Sequence, residues 1–169
     1  TIQPIEKIIK NTQSSNIPLH TDAVQAFGKI PINVNNLGID YLSLSAHKFY
    51  GPKGIGALFI KNNEIIKPLI IGGEQESSIR GGTENISGII GMGLAAKLAF
   101  KKQNSIIKHL KVLEQYFIKN LKQNFSKIKL NGDRKNGLPG LISISFPGYK
   151  SDILMAKLDT KNIAVSNGS

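Results

Sequence analysis

Two apolar runs held apart by a turn rich in glycine and proline constrain this chain more than any other feature. The first is Ile39-Asp40-Tyr41-Leu42-Ser43-Leu44-Ser45 and the second Ile55-Gly56-Ala57-Leu58-Phe59-Ile60, with Ala46-His47-Lys48-Phe49-Tyr50-Gly51-Pro52-Lys53-Gly54 between them. Both runs have the length and composition of strands, and both are too short for buried helices. Pro52 and the glycines around it stop any helix, so the residues between the runs form a loop at a strand end. Strand-end loops are where α/β proteins hold ligands and reacting groups, because the sheet fixes their position. Lys48 lies in that loop.

The remaining runs complete an alternating pattern. A helix is expected over Pro4 to Ser14 and strands over Ile17 to Asp22, Asp40 to Ser45 and Ile55 to Ile60. From Asn85 to about Phe125 the pattern is helical, with a break expected near Gln103-Asn104-Ser105. A second α/β unit follows: strands over Lys127 to Leu130 and Leu141 to Phe146, a helix over Asp152 to Leu158, a third strand over Ile163 to Val165, and turns at Asn131-Gly132 and Pro147-Gly148. Strands alternating with helical crossovers imply an α/β fold with a mostly parallel sheet flanked by helices. The expected division is 1–90 for part of a large domain, 91–125 for connecting helices and 126–169 for an incomplete small domain.

A second segment, Leu19-His20-Thr21-Asp22-Ala23-Val24-Gln25, supplies an aspartate and a glutamine three residues apart. Pyridoxal phosphate needs a lysine to form a Schiff base with its aldehyde, a carboxylate on the ring nitrogen and donors for the phosphate. Lys48, Asp22, and Ser45 with His47 meet those needs, and Gln25 can donate to the ring oxygen. Taken singly, a lysine in such a loop is ordinarily solvated and an aspartate before a helix ordinarily caps it.

Three segments in order, Thr21-Asp22-Ala23-Val24-Gln25, then Leu44 to Gly54, then Arg80-Gly81-Gly82-Thr83-Glu84-Asn85, together resemble the cysteine desulfurases of the iron–sulfur cluster assembly type, and the resemblance runs from Thr1 to Ser169. That family belongs to the class V, aminotransferase-like enzymes of fold type I. The resemblance implies that Lys48 binds the cofactor and moves the substrate's Cα proton, with Asp22 and Gln25 on the ring nitrogen and ring oxygen. It further implies that Ser45 and His47 bind the phosphate, and that Thr83 reaches the phosphate of the neighbouring subunit in a homodimer. The implied reaction takes sulfur from L-cysteine, giving L-alanine and an enzyme persulfide that passes to an acceptor or scaffold protein. Selenocysteine lyases form a sister branch, which the Pro52-Lys53-Gly54 and Thr83-Glu84-Asn85 spellings resemble less.

The chain departs from that pattern in one decisive respect: it contains no cysteine. The persulfide needs a thiolate, which only a cysteine side chain provides. Ala164-Val165-Ser166-Asn167-Gly168-Ser169 resembles the family segment just before the catalytic cysteine, and Ile2-Gln3-Pro4-Ile5 resembles an internal one. The expectation is therefore a central fragment, lacking an asparagine near the cofactor, a histidine stacked on the ring and a substrate-binding arginine, and inactive by itself. Two alternatives stand beside it. One is another fold-type-I enzyme, a selenocysteine lyase or an aminotransferase; the other is a noncatalytic module that docks an acidic partner.

At 169 residues and 40% apolar content the chain can bury a core. It has no apolar run near the roughly 20 residues that span a bilayer and no signal peptide opens it, so a cytoplasmic setting without membrane association is expected. The net charge of +11 suggests nucleic acid, yet only Arg80 and Arg134 are arginines, and forked contacts to phosphates and bases favour arginine. The lysines thicken between Lys97 and Lys135, opposite Ile106, Leu110, Leu113, Phe117 and Leu121 at helical spacing, and read as a solvated face. Gly91-Met92-Gly93-Leu94-Ala95-Ala96 has dinucleotide-motif glycines inside a helical pattern, where they serve close packing instead. His20 and His109 have no partner at metal-ligand spacing, so no metal is expected. Glu74 to Arg80, between Gly72-Gly73 and Gly81-Gly82, forms a polar loop able to move over a site, and Thr83-Glu84-Asn85 opens the next helix, where Thr83 either caps or meets a phosphate.

Overall fold

A computed structural model describes residues 1–61 and 66–167 of the chain. Gly168 and Ser169, the end of the Ala164–Ser169 segment considered above, lie outside the described residues. The chain divides into two compact units, Ile2–His109 and Leu110–Ser169, the second including Thr1.

In the first unit α1 (Ile5–Gln13) precedes β1 (His20–Asp22), α2 (Val34–Leu37), β2 (Tyr41–Ser45) and β3 (Gly56–Ile60). Of the mostly parallel sheet expected from the sequence, the described residues show one parallel pairing, β1 with β2, which sets Asp22 beside Ser43. β3 instead runs antiparallel to β2, with Ser45 beside Gly56. The connection from Ser45 to Gly56 is too short for the crossover that a parallel neighbour requires. β1 begins at His20, later than expected, for a local reason. The Ile17 N–H bonds the Thr12 carbonyl at the end of α1, Pro18 has no N–H, and the Leu19 N–H goes to Asp40 Oδ2 at 2.9 Å.

Alternation along β1 and β2 sorts the two sheet faces. Leu42 and Leu44 face a core formed by Ile9 of α1, Ala23 and the fully buried Ile39, with Leu37 of α2 and Phe59 packed against it. Each fully buried aliphatic side chain there contributes about 1.5–3 kcal/mol. His20, Asp22, Ser43 and Ser45 fall on the opposite face, where His20 Nε2 and Ser43 Oγ lie 3.2 Å apart. A hydrophobic and a polar face thus meet at the carboxyl ends of β1 and β2.

α3 is one continuous helix, Ile86–Asn124, and the break expected near Gln103-Asn104-Ser105 is absent. Polar side chains weaken a helix when they compete for its backbone, and here one of the three is engaged outside the helix while a second bonds a helix carbonyl without interrupting it. Gln103 Nε2 donates to the Ile30 carbonyl at 2.9 Å, and Ser105 Oγ donates to its own helix at the Lys102 carbonyl, 2.8 Å away. The glycine pair of α3 also splits. A Cβ on Gly91 would lie 2.6 Å from Pro52 Cγ, so this glycine does permit close packing, whereas a Cβ on Gly93 would meet nothing within 4 Å.

In the second unit the end of α3 is followed by β4 (Lys129–Leu130) and β5 (Ile144–Ser145), which pair antiparallel, and by α4 (Ser151–Asp159). The turns expected at Asn131-Gly132 and Pro147-Gly148 carry Gly132 at φ 78° and Gly148 at φ 89°. The strand expected over Ile163 to Val165 is irregular chain. Asn162 has φ 59° and the Ile163 N–H bonds the Leu158 carbonyl, closing the end of α4 in place of joining a sheet. Glu114 and Arg134 form an ion pair; Glu114 also accepts from the Gly140 N–H, and Arg134 donates to the Leu141 carbonyl. Among the described residues no helix is long and apolar enough to cross a membrane, and no cluster of side chains could hold a metal ion.

Candidate active site

The display of Lys48 follows from four residues of tight helix. Ala46–Phe49 form a single 3-10 turn directly after β2. With three residues per turn, positions 46 and 49 point the same way and 47 and 48 point elsewhere. Ala46 is fully buried and Phe49 nearly so, against Ala95 and Met92 of α3, while His47 and Lys48 are exposed. The Phe49 ring also packs on Phe27, with centroids 4.7 Å apart and planes tilted by 53°. The loop closes through the Gly51 N–H, which donates to the Ala46 carbonyl at 2.8 Å. A Cβ on Gly51 would lie 2.9 Å from Ala46 Cβ, so the turn admits only glycine there. The lysine is thus exposed on a rigid base.

Around it stand the other side chains singled out in the sequence. Ser45 Oγ and His47 Nδ1 lie 2.8 Å apart, pairing a hydroxyl and an imidazole beside the lysine. Asp22 ends β1, and its Oδ1 accepts the Val24 N–H at 2.8 Å, which fixes the carboxylate; among the described residues its other oxygen receives no hydrogen bond. Gln25 is exposed in the following turn and its Oε1 accepts from Lys29 Nζ at 3.2 Å. Lys29 is half-buried, and its ammonium is pushed below the ordinary lysine range, first by burial and then by the positive charge of Lys48. A Cβ on neighbouring Gly28 would lie 3.5 Å from Phe49 Cβ, so Lys29 follows a residue packed on the base of the Lys48 turn.

Thr83 does not cap α3. Asn85 does, its Oδ1 accepting from the Gly88 N–H at 3.0 Å, so Thr83 is exposed ahead of the helix. The glycine pairs around Glu74–Arg80 close on each other. The Gly81 N–H bonds the Ile70 carbonyl, the Gly82 N–H bonds Gln75 Oε1, and a Cβ on Gly81 would lie 2.7 Å from Gly72 Cα. Within that loop Glu76, Ser77 and Ser78 all adopt left-handed φ, between 49° and 64°. Residues other than glycine hold that conformation at a cost of order 1 kcal/mol each. His20 bonds Ser43, and His109 is exposed on α3.

The donor set fits pyridoxal phosphate by its chemistry. An exposed primary amine, a carboxylate with one free oxygen, an amide and a hydroxyl–imidazole pair gather at the carboxyl ends of two parallel strands, the usual place for a ligand in an open α/β sheet. Lys29, not among the candidate residues above, joins them through its bond to Gln25. Its signal was the spacing of four from Gln25, which lets the two side chains meet across one turn.

The aminotransferase class-V family model matches residues 1–169. The chain is 48% identical over 169 residues to the cysteine desulfurase IscS of Dictyoglomus turgidum, covering all of this chain and 43% of that protein. It is 40% identical over 169 residues to the putative cysteine desulfurase IscS 1 of Bacillus subtilis, covering all of this chain and 45% of that one. Among solved structures, the NifS-like protein from Rickettsia africae aligns with a TM-score of 0.95 at 37% identity, over 99% of this chain and 46% of that one. The apo cysteine desulfurase from Thermococcus onnurineus aligns with a TM-score of 0.84 at 25% identity, over 96% of this chain and 45% of that one. The chain therefore spans less than half the length of these relatives, and along its whole length it belongs to the aminotransferase class-V family.

Proposed function

We propose that this chain carries the lysine side of a cysteine desulfurase site, active within a chain of its relatives' length. The observation that carries the reading is the exposure of Lys48 on a turn anchored by buried Ala46 and Phe49, directly after the Ser45–His47 pair at the carboxyl end of β2, which runs parallel to the strand ending at Asp22. When bound, pyridoxal phosphate supplies a sink for the negative charge left at the substrate's Cα. Every other part is performed by side chains. Lys48 holds the cofactor through its amine and afterwards moves the Cα proton of L-cysteine, a task suited to an exposed amine on a fixed turn. Asp22 would accept a hydrogen bond from the protonated ring nitrogen on the oxygen not used by Val24, and its negative charge would keep that nitrogen protonated and the ring positively charged. Gln25 donates to the ring oxygen, and the Ser45 hydroxyl and His47 imidazole bind the phosphate.

Removing sulfur from L-cysteine leaves L-alanine and requires a thiolate acceptor. These 169 residues contain no cysteine, so that nucleophile belongs to a residue outside this sequence. We also infer a homodimer in which Thr83, free of any capping duty, reaches the phosphate of the neighbouring subunit. The sulfur then serves iron–sulfur or thio-cofactor assembly in the cytoplasm through an acceptor protein.

The test is an intact mass of the full-length enzyme after loading with pyridoxal phosphate and reduction with borohydride. One cofactor fixed to a peptide containing Lys48 is expected, together with alanine formation from cysteine that falls at least a thousandfold in Lys48→Ala, the order expected when a general base and its covalent attachment are lost together. A Lys48→Ala enzyme that forms alanine at the normal rate would sink the assignment.

A further inference from the structure

We propose that Lys29 is a positioning residue that fixes the amide orientation of Gln25, so that the NH2 end, and never the carbonyl end, faces the cofactor's ring oxygen. The inference rests on the reading of Lys48 and Gln25 given above.

The argument starts from what each group can donate. A lysine ammonium has three donors and no acceptor, whereas a glutamine amide has an acceptor at one end and two donors at the other. Gln25 Oε1 lies 3.2 Å from Lys29 Nζ. Reversing the amide would set NH2 against NH3+, two donors facing each other, with no bond possible. So long as Lys29 stays charged, Gln25 has one stable orientation, and its two N–H groups point away from Lys29.

Backbone geometry makes the pair specific. Gly28 takes φ 79°, a left-handed conformation, and bends the chain after the turn that opens at Ala23. A Cβ on Gly28 would sit 3.4 Å from Ala99 Cβ and 3.5 Å from Phe49 Cβ, so this bend lies against α3 and the base of the Lys48 turn. The Ile30 carbonyl just beyond is tied to Gln103 of α3. Lys29 is therefore set between two anchored residues and is partly buried. Its depressed proton affinity, caused by burial and by Lys48, agrees with that confinement. Asp22, His47 and Lys48 are the other ionisable groups gathered at these strand ends.

Gln25 matters because the bound cofactor shares a proton between the Lys48 nitrogen and the ring oxygen. An N–H donated to that oxygen weakens its hold on the proton, so losing the donor raises the pH at which the proton leaves. The experiment is a pH titration of the visible absorbance of the full-length enzyme loaded with pyridoxal phosphate. Lys29→Met is expected to raise the midpoint by about one pH unit, a tenfold change in proton affinity. Lys29→Arg, which still donates and is still charged, should restore most of the shift. Gln25→Ala should raise the midpoint similarly, and Gln25→Ala with Lys29→Met should raise it no further, because Lys29 acts through Gln25. Lys29→Leu, which likewise has no donor, serves in place of Lys29→Met if the latter does not fold.

A Lys29→Met midpoint equal to the wild type would overturn the proposal. So would a double variant whose shift is the sum of the single ones, since that marks a through-space charge effect independent of Gln25. If the wild type itself traps no cofactor at Lys48 on borohydride reduction, the failure lies instead in the functional reading on which the proposal stands.

Discussion

Two positive charges close together on one unit set the chemistry of single residues here. Burial and then the charge of Lys48 hold the Lys29 ammonium below its ordinary range. Replacing Lys48 with Met removes the second cause and leaves the first, so the Lys29 pKa should rise without reaching the value of a solvated lysine. A pH titration of the lysine 13Cε resonances reads this directly, and an unmoved Lys29 would show that the charges do not interact. The same depression has a consequence for stability. With the folded-state pKa of Lys29 below the unfolded one, the unfolded chain binds more protons between the two values. Stability therefore rises with pH through that alkaline window, and Lys29→Met should flatten the rise in denaturant midpoints. The positions of the candidate residues Asp22, Gln25, Ser45, His47 and Lys48 at strand ends were legible in the sequence, because each lies within a few residues of a strand whose local composition fixes its place. Lys29 was not, because its meaning depends on a left-handed Gly28 and on a lysine nineteen positions away reached only through packing.

Among the elements, the 3-10 turn and α3 fit each other through Pro52, and the glycines of α3 report that fit. Gly91→Ala would press a methyl group to 2.6 Å from the Pro52 ring, which has little freedom to move. Overpacking of this kind costs about 1–3 kcal/mol. Gly93→Ala meets open space and gains helix propensity, which stabilises by about 1 kcal/mol. Equilibrium denaturation of the two variants should give opposite signs, and a stabilised Gly91→Ala would mean that the turn does not rest on α3. β2, β3, α1 and α4 were legible to within a residue or two, since each is bounded by local breakers and carries its own periodicity. The elements that were not legible are those decided by distant partners. The Ile30 carbonyl, far along the chain, engages Gln103 in the middle of a helix that its polar residues suggested would break. Ile163 returns its N–H to α4, so the expected third strand of the second unit has no ladder to join.

For the molecule as a whole, charge and exposed apolar surface act against each other. Ile86, Ile90, Leu94 and Leu98 recur every four residues along α3, and each is 46–67% exposed. That spacing gathers them into one stripe along the helix. Exposed apolar stripes mark surfaces that other protein covers, or else they drive association. The net charge of +11 opposes association between copies by repulsion. Repulsion between solvent-exposed charges is screened over about 10 Å at 0.1 M salt and about 3 Å at 1 M, while burial of apolar surface is not weakened by added salt. The 169-residue chain should therefore be least associated at low ionic strength and shift to larger species as sodium chloride is raised. Ile90→Lys together with Leu94→Lys should abolish the shift, because it both interrupts the stripe and adds charge. Sedimentation velocity at two salt concentrations measures this. A chain that sediments identically at both, with the stripe intact, would mean that the stripe is not the surface through which copies meet, and a shift that survives both lysines would place the contact elsewhere on the chain.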